Sequence, residues 1–137
     1  NPWNEVECGD HYARSMASHG VYLAACGFAY HGPKQHLGFA PRLTPDYFKC
    51  AFTSAEGWGT FAQKTGGGSQ KAEITVRWGN LKLKTLALQT DFGSSAQVSI
   101  AGKPVAANLK PDGKRILLTL NEPATISAGE KLEITLT

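Results

Sequence analysis

The densest group of polar side chains in this sequence falls within eleven residues near its start. Glu5, Glu7 and Asp10 supply carboxylates there, His11 supplies an imidazole and Arg14 a guanidinium. A carboxylate accepts hydrogen bonds from two hydroxyls, a guanidinium donates to hydroxyl oxygens, and such charge-assisted bonds are about twice as strong as neutral ones. This combination of groups is suited to binding a polyol such as a sugar.

Glu5 and Arg14 are the two candidates in this group that helix formation does not explain. Asp10 fits the N-cap of a helix, where a carboxylate stabilises the first turn. Glu5 precedes that cap, and Arg14 sits one turn into an alanine-rich helix. Trp3 and Tyr12 could offer an apolar face to a sugar ring. The alternative is a structural ion pair between Glu5 and Arg14 that ties loop to helix, and the residue pattern alone leaves the two interpretations level.

Glu5 and Glu7 do not form a catalytic pair of the glycosidase type. Residues two apart in an extended segment point the same way, whereas catalytic carboxylates flank a bond about 5 Å or more across. Since the sequence also shows no other nucleophile–base arrangement, we expect no catalytic residue in this chain. The segment 55–59 indicates a turn into a strand whose glycines serve backbone geometry, with a binding role for Glu56 or Trp58 left open.

Composition narrows the function further. The 137 residues are 42% hydrophobic and 18% charged, which is typical of one folded domain with a modest core. The net charge of +3 arises in the second half, where lysines alternate with apolar residues as on a solvated sheet face. We expect no nucleic-acid partner, because no basic cluster is interleaved with aromatic residues. No apolar run approaches the ~20 residues of a membrane span.

Cofactors and disulfides are not expected either. His31 and His36 share a loop with no cysteine or carboxylate at metal-ligand spacing. The three cysteines are an odd number in unlike contexts, which makes a disulfide framework improbable. Cys26 is expected to be a small buried apolar residue.

The first half predicts one helix, from about Asp10 to Cys26, closed by Gly27 in a left-handed conformation. Small side chains recur along it at three- and four-residue steps, which lets a neighbouring helix approach closely. They are Ala13, Ala17, Gly20 and Ala24. Nothing else in the chain is helical enough to cover this stripe. Since the chain also opens without an initiator methionine, we expect it to be a fragment whose helix partners lie elsewhere in the parent.

The rest of the sequence predicts strands separated by turns. Residues 30–45 indicate a Gly/Pro loop, 45–48 a short helical turn, and 57–63 a strand. A hairpin is predicted from strands 72–78 and 81–88 around a Gly79-Asn80 turn. Further strands are expected at 96–100, 104–108, 116–120 and 131–136. The predicted class is α+β, with one N-terminal helix followed by an antiparallel β-sandwich.

Residues 1–64 resemble the closing segment of the catalytic region of glycoside hydrolase family 116, which includes β-glucosidases and the non-lysosomal glucosylceramidase. The resemblance rests on five runs of the sequence. They are NPWNEVECGDHYARSMAS at 1–18, GF at 27–28, HGP at 31–33, LGFAPR at 37–42 and AEGWGTF at 55–61. Residues 65–137 resemble no named family beyond a β-sandwich extension.

The resemblance implies an (α/α)6 barrel, of which the predicted helix would be the last and the others are missing. It also implies a covalent glycosyl-enzyme intermediate, with the nucleophile and the acid/base on earlier segments. In this family a Glu and an Arg nine positions apart bind the outer hydroxyls of the sugar, and Glu5 and Arg14 match that spacing. Further substrate contacts are expected from Trp3, Asn4, His11 and Tyr12. Residues 1–43 would close the catalytic domain, and residues 44–137 would form the sandwich extension.

The chain is therefore expected to be a fragment of a retaining exo-β-glycosidase that contributes residues binding the nonreducing sugar. The intact parent would hydrolyse O-glycosyl bonds of β-glucosides or related carbohydrates, and this chain would need the remainder of the parent to be active. The alternative is a non-catalytic β-sandwich that binds carbohydrate or acts as a scaffold.

Overall fold

The computed structural model describes residues 12–137, with side chains from residue 16 onward. Helix α1 (Tyr12–Cys26) is followed by ten strands and one 3-10 turn (Gly32–Lys34). The strands are β1 (Ala29–His31), β2 (His36–Phe39), β3 (Tyr47–Thr53), β4 (Gly57–Gly66), β5 (Ser69–Gln89), β6 (Ala96–Ile100), β7 (Lys103–Pro104), β8 (Ala107–Asp112), β9 (Arg115–Ser127) and β10 (Lys131–Leu136). No helix within residues 12–137 has the length and apolar character needed to span a bilayer.

The strands form two sheets that share the long strand β5. Sheet 1 has the order β1–β2–β5–β9–β8 and uses residues 80–89 of β5. Sheet 2 has the order β3–β4–β5–β10–β6–β7 and uses residues 69–79. The predicted class, one N-terminal helix followed by a β-sandwich, is confirmed. Among the described strands β2 alone pairs in parallel, with β5.

The core lies between the two sheets and follows from the period-2 alternation of the strands. In β4, for example, Phe61 and Gln63 are buried while Trp58 and Lys64 are exposed. Phe61 of sheet 2 stacks on Phe39 of sheet 1, with ring centroids 3.9 Å apart and planes 3° from parallel. This pair joins the two layers at the centre of one continuous hydrophobic core.

The predicted hairpin around Gly79-Asn80 is wrong, because residues 69–89 form a single strand. Gly79 has φ +69, but its role is to let the backbone of β4 approach closely. A Cβ at Gly79 would lie 2.1 Å from the Glu56 carbonyl oxygen and 2.9 Å from Gly57 Cα. The glycine therefore marks the point where β5 leaves sheet 2 and enters sheet 1.

The predicted loop at 30–45 contains strands β1 and β2, so this expectation is wrong in part. Leu37, Gly38 and Phe39 are all buried in succession, which removes the alternation that marks a strand in sequence. The helical turn expected at 45–48 is also absent, since Tyr47 already begins β3. Because β1 and β2 belong to sheet 1, the sandwich reaches back to residue 29, and the boundary at 43/44 stays a prediction about the parent.

Candidate functional site

The residues predicted to bind sugar fall at the edge of the described structure or outside it. The predicted residues outside residues 12–137 are Trp3, Asn4, Glu5 and His11. Tyr12 and Arg14 belong to the first turn of α1, and their side chains are likewise outside the description. The meeting of Glu5 with Arg14 in a pocket therefore stays a prediction.

Helix α1, which carries Arg14, is fixed to the sandwich through its C-terminal half. The Ala40 N–H donates to the Cys26 carbonyl at 3.0 Å. Gly27 ends the helix at φ +55, as predicted, and a Cβ there would lie 2.2 Å from the Ala40 oxygen. Tyr22 adds a second attachment: its hydroxyl accepts from the Ala51 N–H at 2.8 Å and donates to the Ala51 carbonyl at 2.9 Å. These contacts set where the helix stands on the edge of β3.

The junction between α1 and sheet 2 is largely apolar, and burial there raises the pKa of Cys50 and of Tyr22. Cys26 is 2% exposed, which confirms its prediction as a small buried residue. Burial, followed by the neighbouring Cys26 thiol, raises the pKa of Cys50 to about 12. Burial also raises the pKa of Tyr22 to about 12, assisted by Cys50. Both cysteines are free. The junction is therefore structural packing, since a reactive cysteine needs an accessible thiolate.

The remaining described surface of α1 is open and mostly apolar, with Ser18 and His19 as its polar exposed residues besides Tyr22. Met16 is 61% exposed and Val21 is 70% exposed. The small residues predicted to form a packing stripe are also exposed where described, namely Ala17, Gly20 and Ala24. No Asp, Glu, Lys or Arg occurs between residues 15 and 26. A helix that faces water normally carries charge on its open side, so this surface is suited to being covered by other polypeptide.

The segment 55–59 forms the predicted turn into a strand. The Ser54 N–H donates to the Gly57 carbonyl at 2.8 Å and closes the turn. Glu56 pairs with Lys82 at 2.8 Å, but both side chains are about half exposed, and such pairs contribute little to stability. A small depression of about 260 Å³ is lined by this pair and by Tyr30. Glu56 is thus explained by surface structure.

Trp58, from the same segment, has an exposed aromatic partner. It lies directly opposite Trp78 in the pairing of β4 with β5. Trp58 is 47% exposed and Trp78 is 64% exposed. The two residues are twenty positions apart in the sequence, so the sequence alone did not predict that they are neighbours. The register of β4 and β5 brings them together.

Sheet 2 carries a trough on its outer face that the sequence analysis did not identify. The trough has a volume of about 430 Å³ and crosses β3, β4, β5 and β10. Its charged lining includes Lys64, Lys71, Glu73 and Glu133. The Lys131 ammonium donates to Glu73 at 3.0 Å, and this bond is the main cause that lowers the pKa of Glu73. In the sequence these side chains only alternate with apolar residues, which is the pattern of any solvated sheet.

The described residues include no candidate metal site, because no three of their His, Cys, Asp or Glu side chains lie close enough together to hold an ion. The described part of the chain therefore offers an exposed, mostly apolar helix surface and a polar trough with the exposed ring of Tyr47 at one end.

Comparison with known proteins gives similarity to solved structures alone. No protein-family model and no curated protein matches the chain. The fold is similar to part of an alpha-L-rhamnosidase from Dictyoglumus thermophilum, with a TM-score of 0.47 and 11% identity. The match covers 88% of this chain and 13% of that one, so this chain spans about an eighth of the solved structure it matches. That neighbour is a glycoside hydrolase, but the similarity is too distant to support an argument about substrate or mechanism.

Proposed function

We propose that this chain is the closing segment of a retaining exo-β-glycosidase of the family 116 type, in which Glu5 and Arg14 hold the nonreducing sugar. The observation that supports the proposal is helix α1. Its described surface carries no Asp, Glu, Lys or Arg from residue 15 onward and is open, with Met16 61% and Val21 70% exposed, and its described contacts with the sandwich lie in its C-terminal half. The resemblance of residues 1–64 to family 116 suggests that the other helices of an (α/α)6 barrel cover this surface in the parent.

In the proposed parent, the stripe of small residues on α1 faces the other helices of an (α/α)6 barrel. Small side chains allow helix axes to come close, which suits a helix that is enclosed on several sides. The first turn of α1 carries Arg14, and the segment before it carries Glu5. In this arrangement the sandwich serves as a base that fixes the position of the last barrel helix.

The chemistry proposed for this chain is binding rather than bond cleavage. The Glu5 carboxylate accepts from two sugar hydroxyls, and the Arg14 guanidinium donates to their oxygens. The nucleophile and the acid/base belong to the remainder of the parent. Binding at the nonreducing end positions the glycosidic carbon relative to those carboxylates, so loss of either contact affects the rate of the reaction as well as substrate binding.

The direct test is Glu5→Ala and, separately, Arg14→Ala in the full-length parent. We expect each substitution to reduce transition-state stabilisation by about 2–4 kcal/mol, as measured from kcat/KM on an aryl β-glucoside, because it leaves a buried polar partner unpaired. That is a loss of roughly 30- to 1,000-fold. Lys110→Ala on strand β8 is the matched control and should retain wild-type kinetics. Wild-type kinetics in Glu5→Ala would refute the binding role, and a parent that cleaves only α-L-rhamnosides would refute the β-glucosidase assignment.

A second test addresses the surface of α1. Val21→Asp places a carboxylate at a position that is 70% exposed in this chain. In the isolated 137-residue chain the substitution should change stability by no more than about 0.5 kcal/mol. In the parent it should cost about 2–3 kcal/mol, because the charge would be buried against the barrel without a partner. Thermal unfolding of both proteins, with Val21→Ala as the uncharged control, gives the comparison. Equal effects in the two proteins would contradict the covering of α1.

A further inference from the structure

We propose that the outer face of sheet 2 is a binding site for a neutral oligosaccharide chain. The site is built from side chains of β3, β4, β5, β6 and β10 and belongs to the sandwich itself. This inference does not rest on the proposed glycosidase function.

The first argument is the shape of this face. A trough of about 430 Å³ crosses β3, β4, β5 and β10. A second depression of about 500 Å³ continues over β6 and β7. Both are lined by Glu133 and Thr135, so they form one continuous surface. Five neighbouring strands spaced about 4.8 Å apart extend it to roughly 20 Å, which accommodates a short oligosaccharide.

The second argument is the distribution of side-chain size. The middle of the face carries small residues, which keep it low. They are Ala62, which lines the trough between Lys49 and Glu73, and Ala51, Thr60 and Thr75 in the adjoining row. Tyr47, 76% exposed, stands at the β3 end of the trough, and the exposed Trp58–Trp78 pair lies two rows further along β4 and β5, outside the trough lining. An exposed aromatic ring packs against the apolar face of a sugar, so Tyr47 offers a platform at this end of the trough.

The third argument is the arrangement of charge. Lys64 lies directly opposite Lys71, and in the next row Glu73 lies directly opposite Glu133. Like charges in opposite positions on neighbouring strands destabilise a sheet. Glu73 is compensated by Lys131 at 3.0 Å and by the Thr75 hydroxyl at 2.8 Å. The side chains of Lys64, Lys71 and Glu133, by contrast, form no hydrogen bond or ion pair with any residue in the described part of the chain.

These uncompensated groups match the needs of sugar hydroxyls. A hydroxyl donates to a carboxylate and accepts from an ammonium group, so both rows of charge gain partners from a polyol. A protein partner is disfavoured, because the centres of protein interfaces are depleted in Lys and Glu. The trough is lined by three lysines and two glutamates. A polyanion is disfavoured by the two glutamates, which would repel it.

The test is calorimetric titration of the full 137-residue chain with cellohexaose and with laminarihexaose at low and high salt. We expect one of them to bind with a Kd below about 1 mM and with little dependence on salt. Tyr47→Ala and Glu133→Ala should each weaken binding at least about tenfold, which is about 1.4 kcal/mol. Lys110→Ala, on β8 of sheet 1, is the matched control and should bind as the wild type does.

Several results would overturn the proposal. The first is no measurable heat with either hexasaccharide. The second is an affinity in Tyr47→Ala and Glu133→Ala equal to that of the wild type. The third is binding only to a hexasaccharide of polygalacturonate, with that binding abolished by high salt. Unchanged melting temperatures of the variants establish that any lost binding reflects the site. Because Glu5 is not part of this face, its effect on parent kinetics is measured separately, and either proposal can fail while the other stands.

Discussion

Replacing Phe61 by alanine is expected to lower the free energy of unfolding by about 3–5 kcal/mol, the cost typical of removing a buried phenylalanine ring. Phe61 is 0% exposed and stacks on Phe39 with 3.9 Å between the ring centroids. Phe48 lies on another side, 6.5 Å away. The substitution removes the ring's burial and its aromatic contacts, and it leaves a cavity between two sheets that cannot close over it.

Urea denaturation at equilibrium measures this loss through a lowered midpoint at constant slope. Phe61→Leu keeps most of the buried volume and should cost clearly less than the alanine variant. Tyr47→Ala, on the neighbouring strand but 76% exposed, should stay within about 0.5 kcal/mol of the wild type. A loss below about 1 kcal/mol in Phe61→Ala would contradict the placement of this ring in the core.

The elements that the sequence predicted well are those whose pattern is local. The C-terminal end of helix α1 was predicted because Gly27 closes it, and its described body because apolar and small residues recur at helical spacing; the predicted cap at Asp10 lies outside the described residues. Strands β4 and β10 were predicted because one of their faces is buried and the other is largely exposed. Their alternation is the direct signature of a sheet with one solvated side.

Strand β2 could not be predicted in the same way. It is only four residues long, and the last three are all buried, so it shows no alternation. It pairs in parallel with β5, at Leu37 opposite Leu86, a partner nearly fifty residues away. Strand identity here depends on a long-range contact, and the flanking glycines and prolines indicate a loop instead.

The trough on sheet 2 could not be predicted from the sequence either, because it also depends on long-range strand pairing. Lys64, Lys71 and Glu133 each sit at an outward position of an alternating strand, which is what any solvated sheet shows. Only the register of three strands places them in neighbouring rows. The proposed sugar contacts at Glu5 and Arg14 rest on a family resemblance, because their nine-residue spacing carries no geometric meaning across a loop and a helix turn.

Gly79 shows how one local pattern fits two different structures. Gly79-Asn80 between alternating segments predicts a two-residue hairpin turn, and the positive φ of +69 at Gly79 is consistent with one. The register decides otherwise, since Gly79 pairs with Gly57 of β4 and Asn80 pairs with Ser127 of β9. The strand continues through the glycine and changes its partner sheet. A sequence pattern cannot distinguish a chain reversal from a transfer between sheets, because both require a residue without a side chain.

Replacing Gly79 by alanine is therefore expected to destabilise the protein by about 3–5 kcal/mol, since strain at positive φ and overpacking each cost up to about 3 kcal/mol. The new Cβ would lie 2.1 Å from the Glu56 carbonyl oxygen, and a backbone atom cannot move aside as a side chain does. Relief requires β4 to separate from β5 at Gly57, which would weaken the pairing that holds Trp58 opposite Trp78.

Gly102→Ala separates the two causes. Gly102 has φ +75, close to that of Gly79, but a Cβ there would meet no atom within 4 Å. Strain alone should cost Gly102→Ala about 1–2 kcal/mol, so the difference between the variants in urea denaturation reports the close approach of β4 and β5. If Gly79→Ala costs no more than Gly102→Ala, the glycine would be needed only for its dihedral angle, as in a hairpin turn. A larger loss at Gly79 would instead establish the backbone contact as the reason that β5 can belong to both sheets.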